Sequence, residues 1–383
     1  MPTMDTVEIL RTLVAFDTTS HRSNLDLVRW MAAYLDGHGV ASRLIPSDDG
    51  AKANLLATIG PNVAGGVVLS GHTDVVPVAG QDWDGDPFAL VERDGRLHGR
   101  GSADMKGFIA ACLAAVPRWR GLALRRPIHL AFSYDEEVGC AGVPRLIAGL
   151  QAHVPSPALA IIGEPTGMRI GLAHRGFYGH RTVFRGRPAH SSDPALGTSA
   201  IEPAALLVAE LARFGRALSV RGNRTTFNIG RIRGGSAINI VPGCCEVLWE
   251  FRPPDEASTA AVRNEVERLL AAMSPGVEVE TAQIAEVPAL AASHDSAAVA
   301  IARTLGALWP PREIPFGTEA GFFARAGIPS LVCGPGAIAQ AHQPNEWIAA
   351  SELQAADRLL ARLGAWATGA DAGVQCRIKG QQA

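Results

Sequence analysis

The chain has 383 residues, 47% of them hydrophobic and 19% charged, a composition typical of a globular protein with room for two domains. Its formal net charge of −2 provides no broad positive field, which argues against nucleic acid or an anionic membrane as a partner. No apolar run approaches the ~20 residues of a membrane span. The N-terminus lacks the pattern of a signal peptide, so we expect a cytoplasmic protein.

Strand and helix patterns alternate through the first 176 residues. Helical spacing of apolar residues predicts the helices, and short apolar or β-branched runs predict the strands. In chain order, we expect helices at 5–16, 24–35, 105–119 and 143–150, and strands at 41–45, 54–59, 66–70, 128–134 and 158–162. This alternation predicts an α/β domain with a mainly parallel, mixed sheet that helices cover.

The pattern changes after residue 176. We expect strands at 177–184, 225–233, 244–251 and 277–284, and helices at 199–218 and 258–273. The order β-α-β-β-α-β predicts a ferredoxin-like α+β domain with an antiparallel sheet, inserted as residues 177–287. Residues 288–368 then resume the first domain, with helices at 296–308, 321–325 and 351–366 and a strand at 330–333. The small polar tail 369–383 is expected to be disordered.

The first candidate functional residues along the chain follow the predicted strand 66–70. His72 follows this strand, and the carboxylate of Asp74 is close enough to accept a hydrogen bond from the second ring nitrogen of His72. Asp104 lies in a glycine-rich stretch before a predicted helix. A helix N-cap is one interpretation of Asp104, and a carboxylate that bridges two cations is the other.

Acidic residues also close the next predicted strands. Glu136 and Glu137 follow the strand 128–134, and Glu164 follows the strand 158–162. Acids at the end of a buried strand raise one another's pKa unless a cation is near, although a solvated loop is the alternative. Of two neighbouring glutamates, one can ligate a metal while the other stays free as a base. His342 follows the last strand, where a purely structural histidine is the alternative.

The six residues share one location, since each follows a predicted strand of the same sheet, where open α/β folds bind ligands. They are His72, Asp104, Glu136, Glu137, Glu164 and His342. Histidines and carboxylates without thiolates suit a pair of zinc or similar divalent ions with open coordination positions. The six cysteines contain no C-x-x-C pair, and we interpret them as small buried apolar residues.

Several of these stretches resemble the motifs of the dinuclear-zinc deacylases and peptidases of the M20 metallopeptidase family. The matching segments are 70–77, 99–107, 135–137, 163–166 and 186–192. The resemblance covers nearly the whole chain except the tail. Three further segments are most similar to those of family members that deacetylate N2-acetyl-L-ornithine. These segments are 317–320, 333–336 and 341–346.

The resemblance implies two divalent metal ions, with Zn²⁺ as the first choice and Co²⁺ as an alternative. The implied ligands are His72 and Glu164 for one ion, Glu137 and His342 for the other, and Asp104 as the bridge between them. It further implies that Asp74 orients His72 and that Glu136 is the general base. A cis peptide bond between Asp104 and Met105 is also implied.

The inserted domain is implied to form a homodimer in which His190 reaches the active site of the other subunit; a plain loop histidine is the alternative. Asn239 and Arg252 are implied to bind the α-carboxylate of the substrate, although Arg252 can also be a solvated charge at a strand end. Glu319 is expected to pair with the side-chain ammonium group of ornithine.

The implied reaction is hydrolysis of an N-acyl amide, with N2-acetyl-L-ornithine giving L-ornithine and acetate in arginine biosynthesis. Succinyl-diaminopimelate, acetylcitrulline, other N-acyl amino acids and C-terminal peptides stay open as substrates. A dimetal phosphoesterase would need a phosphate-binding loop, and the sequence shows no P-loop-like motif. A non-catalytic metal-binding dimer should lack the base or a ligand, whereas every expected position is filled.

Overall fold

The computed structural model describes residues 3–272 and 276–369. Two compact units divide the chain, one formed by Met1–Gly171, Ser293–Arg312 and Ala326–Ala383, the other by Leu172–Ala292 and Glu313–Arg325. The domain boundaries expected from the sequence stay a prediction. The tail 369–383 was expected to be disordered, and its residues 370–383 lie outside the described part of the chain.

The described helices follow the sequence pattern closely. They are α1 (Thr6–Val14), α2 (Leu25–Gly37), α3 (Gly107–Arg120), α4 (Val143–His153), α5 (Ile201–Val220), α6 (Glu256–Ala272), α7 (Ala297–Thr304), α8 (Ala320–Arg325) and α9 (Ala350–Ala367). Within the described residues, no helix has both the length and the apolar character that crossing a bilayer requires.

The strands are more numerous than the pattern predicted. They are β1 (Ser42–Pro46), β2 (Ala53–Ile59), β3 (Val67–His72), β4 (Val91–Arg93), β5 (Arg96–His98), β6 (Ile128–Ser133), β7 (Leu159–Pro165), β8 (Arg169–His174), β9 (Phe177–Arg185), β10 (Thr226–Gly234), β11 (Cys244–Arg252), β12 (Glu278–Val287), β13 (Leu290–Ala291), β14 (Leu308–Glu313), β15 (Ser330–Gly334) and β16 (Trp347–Ala349). Most of the unpredicted strands are too short to show a periodic pattern.

The sheet of the first unit has the order β1-β2-β6-β3-β7-β15-β8. Its centre is parallel, because β3 pairs in parallel with β6 and β7, and β15 pairs in parallel with β7. The pairs β1–β2, β2–β6 and β15–β8 are antiparallel. Strands β3, β6 and β7 are buried along their whole length, as expected for a sheet that helices cover. The predicted mainly parallel, mixed α/β sheet is therefore confirmed.

The second unit contains a four-stranded antiparallel sheet of order β10-β11-β9-β12. Its strands and helices follow one another as β9-α5-β10-β11-α6-β12, which is the predicted ferredoxin-like arrangement. Apolar side chains of both helices and of the central strands form one core, which includes Leu207, Val247, Phe251 and Val262.

The predicted helix at 105–119 is wrong at its beginning. Residues Ser102–Lys106 form an irregular turn in which Asp104 and Met105 have non-helical backbone angles, and α3 begins only at Gly107. Asp104 is therefore not the N-cap of α3. The peptide bond between Asp104 and Met105 is cis, which confirms that expectation.

Candidate metal centre

The parallel centre of the sheet delivers ligand side chains to one edge. His72 is the last residue of β3 and pairs in register with Ser133, the last residue of β6. Glu164 lies near the end of β7, the other neighbour of β3. Because parallel strands end at the same edge, residues that are distant in sequence come together there.

Asp104 lies at the centre of the cluster, with its two carboxylate oxygens directed at two different histidines. Its Oδ1 lies 3.0 Å from His72 Nε2, and its Oδ2 lies 3.4 Å from His342 Nε2. The Asp104 side chain is 7% exposed, so both oxygens are shielded from water. This carboxylate thus connects the two histidines of the cluster.

Each histidine has a glutamate beside it. His72 Nε2 lies 3.8 Å from Glu164 Oε1, and His342 Nε2 lies 3.0 Å from Glu137 Oε2. The His72 and Glu164 side chains are almost fully buried, whereas the His342 side chain is 50% exposed. The cluster therefore has one buried half and one half that opens to solvent.

Glu136 lies next to the buried half of the cluster. One ligand atom from each of His72, Glu136 and Glu164 falls within a mutual distance of 4.8 Å, and the same is true of His72, Asp104 and Glu137. The thiol of Cys140 donates to Glu136 Oε1 at 3.6 Å. Glu136 and Glu137 thus belong to different groups of possible ligands.

Asp74 is close to His72, but its carboxylate makes different contacts from those expected. The ring nitrogen His72 Nδ1 is 3.0 Å from the backbone carbonyl oxygen of Asp74 and 3.7 Å from its carboxylate. The carboxylate instead accepts the backbone N–H groups of Glu136 at 3.0 Å and Glu137 at 3.2 Å, and the hydroxyl of Ser20 at 2.8 Å. Asp74 therefore holds the backbone of both glutamates as well as flanking the imidazole.

Electrostatics in this cluster favour bound positive charge. Burial raises the pKa of Glu164 well above its usual value, and the charge of Asp104 adds to that effect. For His342, hydrogen bonds to Asp104 and Glu137 raise the pKa to about 10. Burial opposes a charge on His72, yet its hydrogen bond with Asp104 and other acidic neighbours raise its pKa well above 6.5. Each shift has the direction expected where carboxylates outnumber cations.

The donor set fits divalent metal ions. Imidazole nitrogens and carboxylate oxygens are ligands of zinc and similar ions, and like-charged carboxylates at this separation are stabilised by a cation between them. Cysteine is absent from both ligand groups found in the described residues. A contiguous set of candidate metal ligands therefore lies around Asp104, formed by His72, Glu164, Glu137 and His342.

Four of the expected site residues belong to the second unit. His190 is exposed, and its Nδ1 lies 2.8 Å from Ser192 Oγ. The next residue, Ser191, donates its backbone N–H to the carbonyl oxygen of Asn239 at 3.0 Å. Arg252 donates to Glu250 at 3.0 Å. The structure thus brings His190 and the segment of Asn239 together.

Arg252 and Glu319 have different environments within that unit. Arg252 lines a cavity of about 460 Å³ together with Arg175, Glu313 and the segment from Ile314 to Gly317. Glu319 is fully buried, directly after Thr318, whose hydroxyl lies 3.0 Å from His174 Nε2. Arg252 is accordingly open to a solute, and Glu319 is a buried carboxyl group.

Sequence reasoning missed the residues that support Asp104. Glu346 is 1% exposed and accepts the backbone N–H groups of Ala103 at 2.9 Å and Asp104 at 3.0 Å. It lies in the segment 341–346 that the resemblance singled out, yet received no role. The sequence does contain one indication of this role: Glu346 immediately precedes the predominantly apolar strand β16, and a charged side chain that is buried there needs a partner.

Known relatives cover nearly the full chain. The sequence is 34% identical over 371 residues to the acetylornithine deacetylase of Pasteurella multocida (strain Pm70), covering 94% of this chain and 95% of the relative. It is also 34% identical over 376 residues to the acetylornithine deacetylase of Proteus mirabilis (strain HI4320), covering 93% of this chain and 95% of the relative.

Solved structures share the fold. A tripeptidase from Staphylococcus aureus subsp. aureus Mu50 has a TM-score of 0.70 at 21% identity and covers 96% of this chain and 99% of its own. A dinuclear metal binding peptidase of the M20 family from Bacillus subtilis has a TM-score of 0.68 at 17% identity, covering 95% of this chain and 98% of its own.

The family assignment rests on the sequence. A family model described as peptidase family M20/M25/M40 matches residues 68–365, a range that includes every residue of the cluster around Asp104. The relatives at 34% identity support the same assignment. The chain therefore belongs to peptidase family M20/M25/M40, as the resemblance in its motifs implied, and it is a hydrolase.

Proposed function

We propose that this hydrolase removes the acyl group from an N-acyl amino acid and that N2-acetyl-L-ornithine, hydrolysed to L-ornithine and acetate, is its substrate. The observation that most supports this proposal is the position of the Asp104 carboxylate, whose oxygens lie 3.0 Å from His72 Nε2 and 3.4 Å from His342 Nε2. The acetylornithine deacetylases that match at 34% identity support the choice of substrate. Arginine biosynthesis and a cytoplasmic location follow from that choice as predictions.

The proposed metal ligands are His72 and Glu164 for one ion, Glu137 and His342 for the other, and Asp104 as the bridge. Bound divalent ions would supply polarisation of the acyl carbonyl and a lowered pKa for the attacking water. The donor set suits Zn²⁺ and also accepts Co²⁺. The protein contributes the fixed arrangement of these side chains.

Glu136 is the proposed general base. Its backbone is held by Asp74 at 3.0 Å, and it lies within the group formed with His72 and Glu164. Glu136 accepts the proton of the attacking water and returns it to the departing amine nitrogen, so the amide bond is broken without net consumption of the base. Asp74 keeps the Glu136–Glu137 turn and the His72 ring in place.

The remaining proposed contacts concern substrate and assembly. In a homodimer, His190 of the partner subunit would donate a hydrogen bond to the oxyanion that forms at the acyl carbon. Its exposure leaves the ring accessible to such a contact. Arg252 and Asn239 are proposed to bind the α-carboxylate, for which the guanidinium groups of the Arg175–Arg252 cavity are suited. Glu319 is proposed to pair with the ornithine ammonium group.

A panel of substrates tests the proposal. Purified protein loaded with Zn²⁺ or Co²⁺ is assayed for kcat/KM on N2-acetylornithine, acetylcitrulline, succinyl-diaminopimelate and dipeptides. We expect N2-acetylornithine to be hydrolysed best and a chelator to abolish turnover. The Glu319→Gln variant should lose its preference for acetylornithine over the uncharged acetylcitrulline, since its negative charge is gone. A metal-loaded protein that prefers another substrate of the panel would contradict this choice.

A further inference from the structure

Three buried or half-buried polar side chains connect the loop of Asp104 with the loop of His342. They are Gln81, Arg100 and Glu346, named here the clasp. All three belong to the first unit, and none is a ligand in the proposed metal centre. We infer that the clasp is a positioning device that sets how tightly the His342 half of the centre binds its metal ion.

The first half of the clasp holds the Asp104 loop. Glu346 accepts three backbone N–H groups, from Gly101 at 3.0 Å, Ala103 at 2.9 Å and Asp104 at 3.0 Å. It also forms an ion pair with Arg100 at 2.8 Å, in which both side chains are 1% exposed. A carboxylate with this many partners satisfies the donors of the irregular turn before α3 and fixes where the Asp104 side chain begins.

The second half of the clasp holds the His342 loop. Arg100 Nη1 donates to the carbonyl oxygen of Gln343 at 3.3 Å, and Arg100 Nη2 donates to the Gln81 side-chain oxygen. In turn, Gln81 Nε2 donates to the carbonyl oxygen of His342 at 2.8 Å. The same guanidinium group therefore has contacts to both loops, directly or through Gln81.

His342 needs such support. Its backbone has φ = 62°, in the left-handed region that favours glycine. Its side chain is 50% exposed, so few packing contacts hold the ring. Hydrogen bonds to the carbonyl oxygens of residues 342 and 343 are thus a main constraint on its direction. Supporting groups of this kind change metal affinity by about 10- to 100-fold when removed.

The Gln81→Ala variant tests this inference, because Gln81 is only partly buried and its loss leaves the Arg100–Glu346 ion pair intact. Co²⁺ alone is titrated into metal-free protein, and the dissociation constants are measured from visible absorption with a competing chelator. We expect one of the two constants to rise about tenfold while the melting temperature of the metal-free protein stays at the wild-type value.

Gln151→Ala is the matched control. Gln151 also donates from Nε2 to a backbone carbonyl oxygen, that of Ala326 at 3.2 Å, but on an exposed surface away from the cluster. Both Co²⁺ constants should equal those of the wild type. A second variant, Glu346→Gln, keeps the side-chain shape and removes the charge at the Asp104 loop, so it should weaken the binding of both ions.

The inference rests on the proposed metal centre, and the outcomes separate the two. Wild-type protein that binds no Co²⁺ would contradict the centre and, with it, the clasp. Wild-type protein that binds two ions while Gln81→Ala binds both with unchanged constants would overturn the clasp alone. The clasp is also overturned if Gln81→Ala lowers the melting temperature of the metal-free protein and leaves both constants unchanged, since the role would then be structural.

Discussion

Asp104 and Glu164 are both buried carboxylates in one cluster, yet their surroundings give them different properties. Hydrogen bonds from His342 and His72 overcome the effect of burial and lower the pKa of Asp104, whereas burial and nearby negative charge raise the pKa of Glu164. In the metal-free cluster, Asp104 therefore loses its proton more readily than Glu164.

The sequence singled out Glu164 because it closes a predicted strand, and strand ends of a parallel sheet converge. Asp104 was also expected at a strand end of this sheet, whereas it lies in the irregular turn Ser102–Lys106. The sequence was less successful for Asp74. Spacing placed the carboxylate against the His72 ring, whereas the backbone carbonyl oxygen of Asp74 makes the 3.0 Å contact. A separation of two residues allows either the carboxylate or the backbone carbonyl oxygen of Asp74 to contact the His72 ring. The backbone conformation of the turn after β3 determines which of the two does so.

At the residue scale, Glu136→Gln is the clearest variant. The amide has the shape of the carboxyl group but cannot accept the proton, so turnover should fall by about 10²- to 10⁴-fold. The bound metal, measured by elemental analysis, should stay at the wild-type level. Glu137→Gln is the matched control and should lose metal instead. A metal-replete Glu136→Gln protein with normal turnover would remove Glu136 from its proposed role.

Among the elements, the segment between β5 and α3 shows where pattern reading ends. Helical spacing correctly indicated α3, but the turn over Ser102–Lys106 depends on Glu346, a residue more than 240 positions away. Glu346 accepts backbone N–H groups of this turn, and no local pattern reveals such a partner. The short strands β4, β5 and β16 were missed for a related reason, because their pairing with one another defines them.

Close packing between β7 and α3 yields a prediction at this scale. A Cβ atom at Gly163 would lie 2.0 Å from the ring of Phe108, so Gly163→Ala must move the strand end that carries Glu164. We expect the free energy of unfolding, measured by urea denaturation, to fall by about 1–3 kcal/mol. Gly85→Ala is the control, because a Cβ there meets nothing within 4 Å. Equal stability of the two variants would contradict this packing argument.

For the whole molecule, alternation of strand and helix patterns was enough to predict both folds. The β-α-β-β-α-β order between residues 177 and 287 predicted an antiparallel ferredoxin-like sheet, and the structure shows such a sheet in the second unit, with the strand order β10-β11-β9-β12. For the first unit, burial explains this success, since β3 and β7 are buried along their whole length, as in a sheet that helices cover. The clasp was not predictable in this way, because its members are far apart in sequence and belong to no periodic pattern.

The central claim concerns the whole chain, which brings distant residues together to hold two ions around one carboxylate. Anomalous X-ray scattering at the zinc edge, from crystals grown with Zn²⁺, tests it most directly. We predict two peaks per chain, on either side of the Asp104 carboxylate, each about 2.0–2.2 Å from one of its oxygens. No peak at Asp104, or a single ion bound away from His72 and His342, would contradict the account.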